Sequence, residues 1–199
     1  MRLPEVTSWS PRQQEISDRI TARRGGTRGP FLVWLRSPEL CEKVEALGAY
    51  CRFESALDPR LRELSLLIAA RCFDAQYSWN AHVNKAADLG VSRESLNALA
   101  AGREPEFAHR DEQVVYEFGT QILRDHFVTD EAFAAALEEL GEQGVVDLIG
   151  SLGNYSMLAM LLNSCQVNLQ DVPPPFPDVR GYAKVPAGAD GAKQVNSEV

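Results

Sequence analysis

Nowhere in the chain do two cysteines stand in a C-x-x-C pair. The four present, Cys41, Cys51, Cys72 and Cys165, are scattered, and there are only three histidines. That leaves no zinc-ligand spacing, and no metal is expected. Basic charge is also short: 20 Lys and Arg stand against 28 Asp and Glu, for a formal net charge of −8. Phosphate contacts need a basic surface, so a general nucleic-acid binder is excluded. A negatively charged substrate needs a local basic group to offset the overall field. The opening MRLPEVTSWS has no apolar stretch of signal-peptide length, and no run approaches the roughly 18 apolar residues of a membrane span. No membrane is expected as a partner, and the cysteines read as reduced and cytoplasmic. Strand-period alternation is missing too, so the fold class is all-α. What is there is ordinary: 199 residues, 45% apolar and 24% charged, enough for one domain with a real core.

Helix punctuation organises the chain. Ser10-Pro11 is a cap followed by a proline suited to the first helical position. That first helix ends in a basic, Gly-rich loop, Arg23 to Pro30, which is expected to be mobile. The apolar run Phe31 to Leu35 then touches either the core or a partner subunit. Ser37-Pro38-Glu39 and Asp58-Pro59 repeat the same start signal. From Leu61 to Phe73 the helix is apolar on nearly every face, which marks it as buried. Asp74 is read as the cap of the next helix, Ala75 to Leu89, closed by Gly90. Ser92 begins a short helix that Gly102 ends. A further helix carries Val114, Val115, Phe118, Ile122 and Leu123, and Thr129 caps the one after it. The last apolar stretch, Val145 to Cys165, contains Gly150 and Gly153, which permit close packing or a local break. Residues 1–29 form a helical arm and loop, 30–170 the main domain, and 171–199 a Pro-rich irregular tail with disordered final residues.

The informative segment is Glu63 to Gly90. Ala75, Ser78, Trp79, His82, Ala86 and Leu89 recur at helical spacing on one face that is apolar except for Ser78 and His82. A histidine there looks inward, and its ring nitrogens need partners. Glu63 lies among leucines on the preceding helix, where an unpaired carboxylate is costly. A short turn makes the two helices antiparallel neighbours, which lets Glu63 and His82 meet. The plainer alternative is a core histidine bonded to a backbone carbonyl, with Glu63 in a first-turn role. Arg60, Arg62 and Arg71 read as solvated or dipole-neutralising, with Arg71 the candidate anion clamp.

At these residues the chain resembles the carboxymuconolactone decarboxylase-like family, which shares its fold with AhpD-type alkylhydroperoxidases. The resemblance is carried by Gly29-Pro30-Phe31, Ser37-Pro38-Glu39-Leu40, Arg62-Glu63-Leu64, Tyr77-x-Trp79-x-x-His82 and Ala86-x-x-x-Gly90. Asn154-Tyr155-x-Met157-Leu158 and Leu162-Asn163 continue it, so that it spans about Pro30 to Leu169. It implies an oligomeric AhpD-like bundle of seven to eight helices. The peroxidase branch has a glutamate, a C-x-x-C pair and a histidine four residues after the second cysteine. Here Glu63 and His82 match, and the cysteine positions hold Ala75 and Ser78. Neither residue supplies the thiolate or the resolving thiol that a dithiol peroxidase needs.

The branch without cysteines implies a cofactor-free lyase. Its namesake reaction decarboxylates a carboxylated unsaturated lactone in aromatic catabolism. On that resemblance His82 is the proton donor and Glu63 holds its tautomer. Tyr77, Ser78, Trp79 and Asn80 bound the substrate pocket, and Arg71 holds a substrate carboxylate. The expected partners are a small-molecule substrate and further copies of the chain, as a trimer or hexamer. Two alternatives stay open: an antioxidant enzyme using Cys72, and a non-catalytic binding or assembly protein on the same fold.

Overall fold

The computed structural model describes residues 1–4, 6–167 and 174–176, and among them every regular element is helical. Helix α1 (Pro11–Arg24) starts as its sequence dictates. Ser10 accepts from the Gln13 backbone N–H while the Gln13 side chain binds back to Ser10 N–H. The Phe31 to Leu35 run forms a single turn, α2 (Phe31–Trp34). It is resolved in favour of the core: Val33, Trp34 and Leu35 are buried. Trp34 and Leu35 join Ile16, Ile20 and Cys41 in a small cluster that fastens the arm to α3 (Pro38–Ala49), while Val33 packs with Leu162 and Val167. The Gly-rich loop is held to α1 by Thr27, whose hydroxyl donates to the Ser17 carbonyl at 3.0 Å.

The start of α3 follows the expected grammar, but its end does not. The helix runs on into a π-helical turn, Tyr50–Glu54, which no residue pattern announces. Two clasps hold this turn. Asp147 accepts from the Tyr50 hydroxyl at 2.9 Å and from Ala56 N–H at 2.6 Å. The Arg62 guanidinium donates to the carbonyls of Arg52, Ser55 and Leu57 at 3.2, 2.6 and 2.7 Å. Arg62 is therefore a half-buried clasp and not a solvated side chain. Arg60 is committed too, to Asp111 and to the buried Glu112 at 2.7 and 2.6 Å.

Helix α4 (Pro59–Cys72) is the axle of the fold, buried on nearly all faces as its composition demands. It packs against α5 (Gln76–Asp88), α7 (Arg110–Arg124) and α8 (Asp130–Cys165), while α6 (Arg93–Ala100) closes one end. Asp74 does not cap α5. It takes a left-handed conformation, φ +53°, in the tight reversal after α4 and pairs with Arg71. Ala75 stands at the cap position without a side-chain hydrogen bond. Leu89, assigned to the inward face, is exposed because the helix has already ended there.

Helix α8 breaks at Gly141, φ +69°, and not at Gly150 or Gly153. Those two glycines lie in continuous helix with open space where a Cβ would be. The glycine that permits close packing is Gly119, where an added Cβ would stand 3.2 Å from Ile68 and 3.3 Å from Leu152. Against expectation, α8 does hold an 18-residue window of mean hydropathy 1.5, apolar and long enough to cross a membrane by composition alone. Its burial against α4 and α7 accounts for that composition: 56% of the window lies inside the fold. Within the Pro-rich tail, Pro174–Phe176 is irregular, and Phe176 is buried edge-on to Trp79 with ring centroids 5.2 Å apart. The remaining tail calls fall outside the described residues.

Candidate active site

The tight reversal between α4 and α5 sets the two helices side by side and antiparallel. Glu63, near the start of α4, thereby reaches the middle of α5. Its carboxylate accepts from His82 Nδ1 at 2.6 Å, and its other oxygen pairs with Lys85 one turn further on. Glu63 is only 3% exposed. Burial pushes its carboxyl up, but hydrogen bonds and positive charge from His82 and Lys85 outweigh that and hold it below its ordinary value. An ionised carboxylate has no proton to give, so the hydrogen in this bond sits on Nδ1. Nε2 is then the nitrogen left to exchange a proton.

His82 faces a cavity of about 430 Å³ between the arm and the main bundle. Helix α5 supplies Tyr77, Ser78, Ala81 and His82, two adjacent positions per turn on one stripe. Helix α8 supplies Asn154 and Tyr155, and the arm supplies Arg24, Arg28 and Phe31. Arg52 enters from the π-helical turn, so the Arg62 clasp on its carbonyl also positions it at the cavity. Arg24 is neutralised by Glu45 at 3.3 Å and lies over Phe31. Among the described residues no carboxylate pairs with Arg28 or Arg52. In a chain of net charge −8 this cavity is a locally cationic place. Burial pushes the Tyr155 phenol above its ordinary value, so it remains a neutral hydroxyl. The hydroxyl of Ser78 is buried without a hydrogen-bond partner among the described residues.

Gly29 fits the arm loop to this wall. It adopts φ +58°, and a Cβ there would lie 2.2 Å from the Tyr77 hydroxyl. Only glycine allows that approach without displacing the tyrosine.

Of the residues expected here, the structure brings together His82, Glu63, Tyr77 and Ser78. Trp79, Asn80 and Arg71 do not line the cavity. One step along a helix is a rotation of about 100°, which turns Trp79 into the core against Phe176. Arg71 is on the far side of α4, paired with Asp74 and stacked 4.8 Å from the Phe176 ring centroid. The guanidinium groups on the cavity lining are instead those of Arg24, Arg28 and Arg52. Sequence reasoning missed Arg28 and Arg52, as well as Lys85, Asn154 and Tyr155. The only advance signals were the basic loop around Arg28 and the Asn154-Tyr155 motif. Cys72 is off the cavity lining, and burial pushes its thiol up, against a weaker pull from Arg124 and Arg71. Among the described residues no group of three or more His, Cys, Asp or Glu side chains is placed to hold a metal.

Fold and site together define a helical bundle with a carboxylate-oriented histidine at an internal cationic cavity. Residues 38–113 match the model of the Carboxymuconolactone decarboxylase family. Three solved structures share the fold. A protein of unknown function from Agrobacterium tumefaciens, assigned to AhpD antioxidant defence, is 18% identical with a TM-score of 0.60, over 70% of this chain and 96% of that one. An uncharacterized peroxidase-related protein from Silicibacter is 13% identical with a TM-score of 0.67, over 84% and 89%. A debrominase solved with 2,3,4-tribromopyrrole is 13% identical with a TM-score of 0.66, over 88% and 93%. No curated protein sequence matches the chain. The family match covers less than half of the chain; with the solved structures it shows an AhpD-like helical fold that carries a carboxymuconolactone decarboxylase-like segment over residues 38–113.

Proposed function

We infer that the protein is a cofactor-independent lyase acting on a small carboxylated or lactone-like substrate. The observation that carries this reading is the His82–Glu63 pair opening onto a cavity that also holds Arg28 and Arg52, which no carboxylate pairs with among the described residues. Loss of carbon dioxide from a carboxylated unsaturated lactone breaks the C–C bond and sends its electron pair into the conjugated carbonyl. The dienolate so formed must be stabilised and then protonated on carbon. Imidazolium His82 gives that proton from Nε2, while Glu63 keeps the Nδ1 hydrogen in place. The guanidinium groups hold anionic oxygen atoms of the substrate. The debrominase's tribromopyrrole, a small planar ring, is a ligand of the same shape class on the same fold.

An assay of carbon dioxide release from unsaturated lactone carboxylates tests this directly. Replacing Arg28 or Arg52 by methionine is expected to raise KM about 10- to 100-fold, the effect of losing a charge-assisted hydrogen bond. An unchanged KM in both variants would remove the cavity from the account.

Assembly follows the same reading. Val146, Ile149 and Met160 on α8 are 66%, 49% and 50% exposed, in line with the unobstructed Gly150 and Gly153. This apolar stripe suits a second copy of the chain. The protein is expected to run in light scattering as a trimer or hexamer of its 22.0 kDa chain, and Ile149→Glu to lower that mass. A monomeric wild type would contradict this. The four free cysteines support a cytoplasmic setting.

A further inference from the structure

The same cavity holds a second reactive side chain beside His82. Ser78 is 5% exposed and lines the cavity wall, and its hydroxyl has no hydrogen-bond partner among the described residues. A buried hydroxyl left in that state is costly unless a ligand satisfies it. It sits one helical turn before His82, on the same face of α5, where side chains four residues apart are neighbours. His82 in turn is anchored through Nδ1 to the buried Glu63, which leaves Nε2 for the cavity side. We propose that Ser78, His82 and Glu63 act as nucleophile, base and orienting carboxylate, and that the cavity opens small carboxylated lactones or esters by acyl transfer. The proposal rests on the reading of this cavity as a site for small anionic lactones.

The sequence of steps is that of any serine acyl transfer. Ser78 Oγ attacks the ring carbonyl and its proton passes to His82 Nε2. The C–O bond of the lactone breaks, and the departing alkoxide takes the proton from Nε2. Water, activated by the same nitrogen, then hydrolyses the Ser78 ester and releases a hydroxy acid. No oxidant, metal or cofactor is consumed. Arg28, Arg52 and Asn154 are among the cavity groups able to donate to the oxyanion. No hydrogen bond joins Ser78 to His82 before a ligand enters, as is common for a nucleophile and its base in an empty site.

The test is covalent labelling of the full-length protein with a fluorophosphonate, read by intact mass and peptide mapping. Activated serine oxygen displaces fluoride, forming one O–P bond. The expected result is a single adduct on Ser78, absent in Ser78→Ala and formed at least 100-fold more slowly in His82→Gln, with helix content unchanged in both. An unlabelled Ser78, or a labelling rate indifferent to His82→Gln, overturns the proposal. Carbon dioxide release judges the lyase reading separately. Release without an adduct overturns the serine relay alone. An adduct together with no release from any lactone carboxylate supports the relay and overturns the lyase reading alone.

Discussion

Replacing His82 by alanine is expected to lower turnover of a carboxylated lactone by about 10²- to 10⁴-fold, the range for loss of a positioned general acid. The same loss is expected in His82→Gln. Glutamine keeps an N–H that can donate to Glu63 but has no nitrogen that takes up and releases a proton, so it separates charge-relay geometry from proton transfer. Substrate affinity is expected to change little in either variant, because Arg28 and Arg52 line the cavity independently of α5. Both proteins are expected to remain folded: Glu63 retains its pairing with Lys85, and His82 is not part of the apolar core. Steady-state kinetics and circular dichroism read these outcomes together. Near wild-type turnover in the glutamine variant would take proton transfer away from His82.

The second large effect belongs to Glu63. Glu63→Gln removes the charge that fixes hydrogen on Nδ1, and turnover is expected to fall about 10²- to 10⁴-fold through the wrong tautomer. Glu63→Ala is expected to cost stability as well, about 2–3 kcal/mol. That is below the roughly 3–5 kcal/mol of a fully buried broken pair, because Lys85 is half exposed and recovers water. The pH dependence has a definite sign. The folded-state carboxyl lies below its ordinary value of 4.5, so the stability it contributes is complete above about that pH. It is lost as pH falls through the lowered value. The gap in Tm between wild type and Glu63→Gln is therefore expected to be widest near neutrality and to close on acidification. Thermal denaturation across pH 3–7 checks this, and a gap that does not narrow would mean that Glu63 is not held ionised by its partners.

The cap-then-proline pairs at Ser10-Pro11, Ser37-Pro38 and Asp58-Pro59 placed three helix starts from local chemistry alone, since those signals act within one turn. The Glu63–His82 contact was legible for a related reason. Two ionisable groups on apolar helices joined by a tight reversal have few other places to go. The rest of the site depends on distances that sequence does not encode locally. Arg28 and Arg52 reach His82 from the arm and from a π-helical turn, and the turn is held there by Arg62 and by Asp147, which lies 95 positions beyond Arg52. Arg71 and Trp79 fail as site residues through helix rotation: each is close in sequence to the pair and turned toward Phe176 instead. Asp74 has the composition of a cap, but the reversal after α4 demands a left-handed residue first, and an aspartate tolerates that conformation.

Glu63 fixes the hydrogen of His82 on Nδ1 and leaves Nε2 as the proton-exchanging atom of the cavity. Nitrogen-15 NMR of the imidazole rings measures this without a substrate, and with three histidines in the chain a His82→Gln sample assigns the signal. At a pH where the ring is neutral, the expected result is a protonated Nδ1 and an unprotonated Nε2 in the wild type, and loss of that preference in Glu63→Gln. A neutral His82 carrying its hydrogen on Nε2, or a tautomer unchanged by Glu63→Gln, would contradict it.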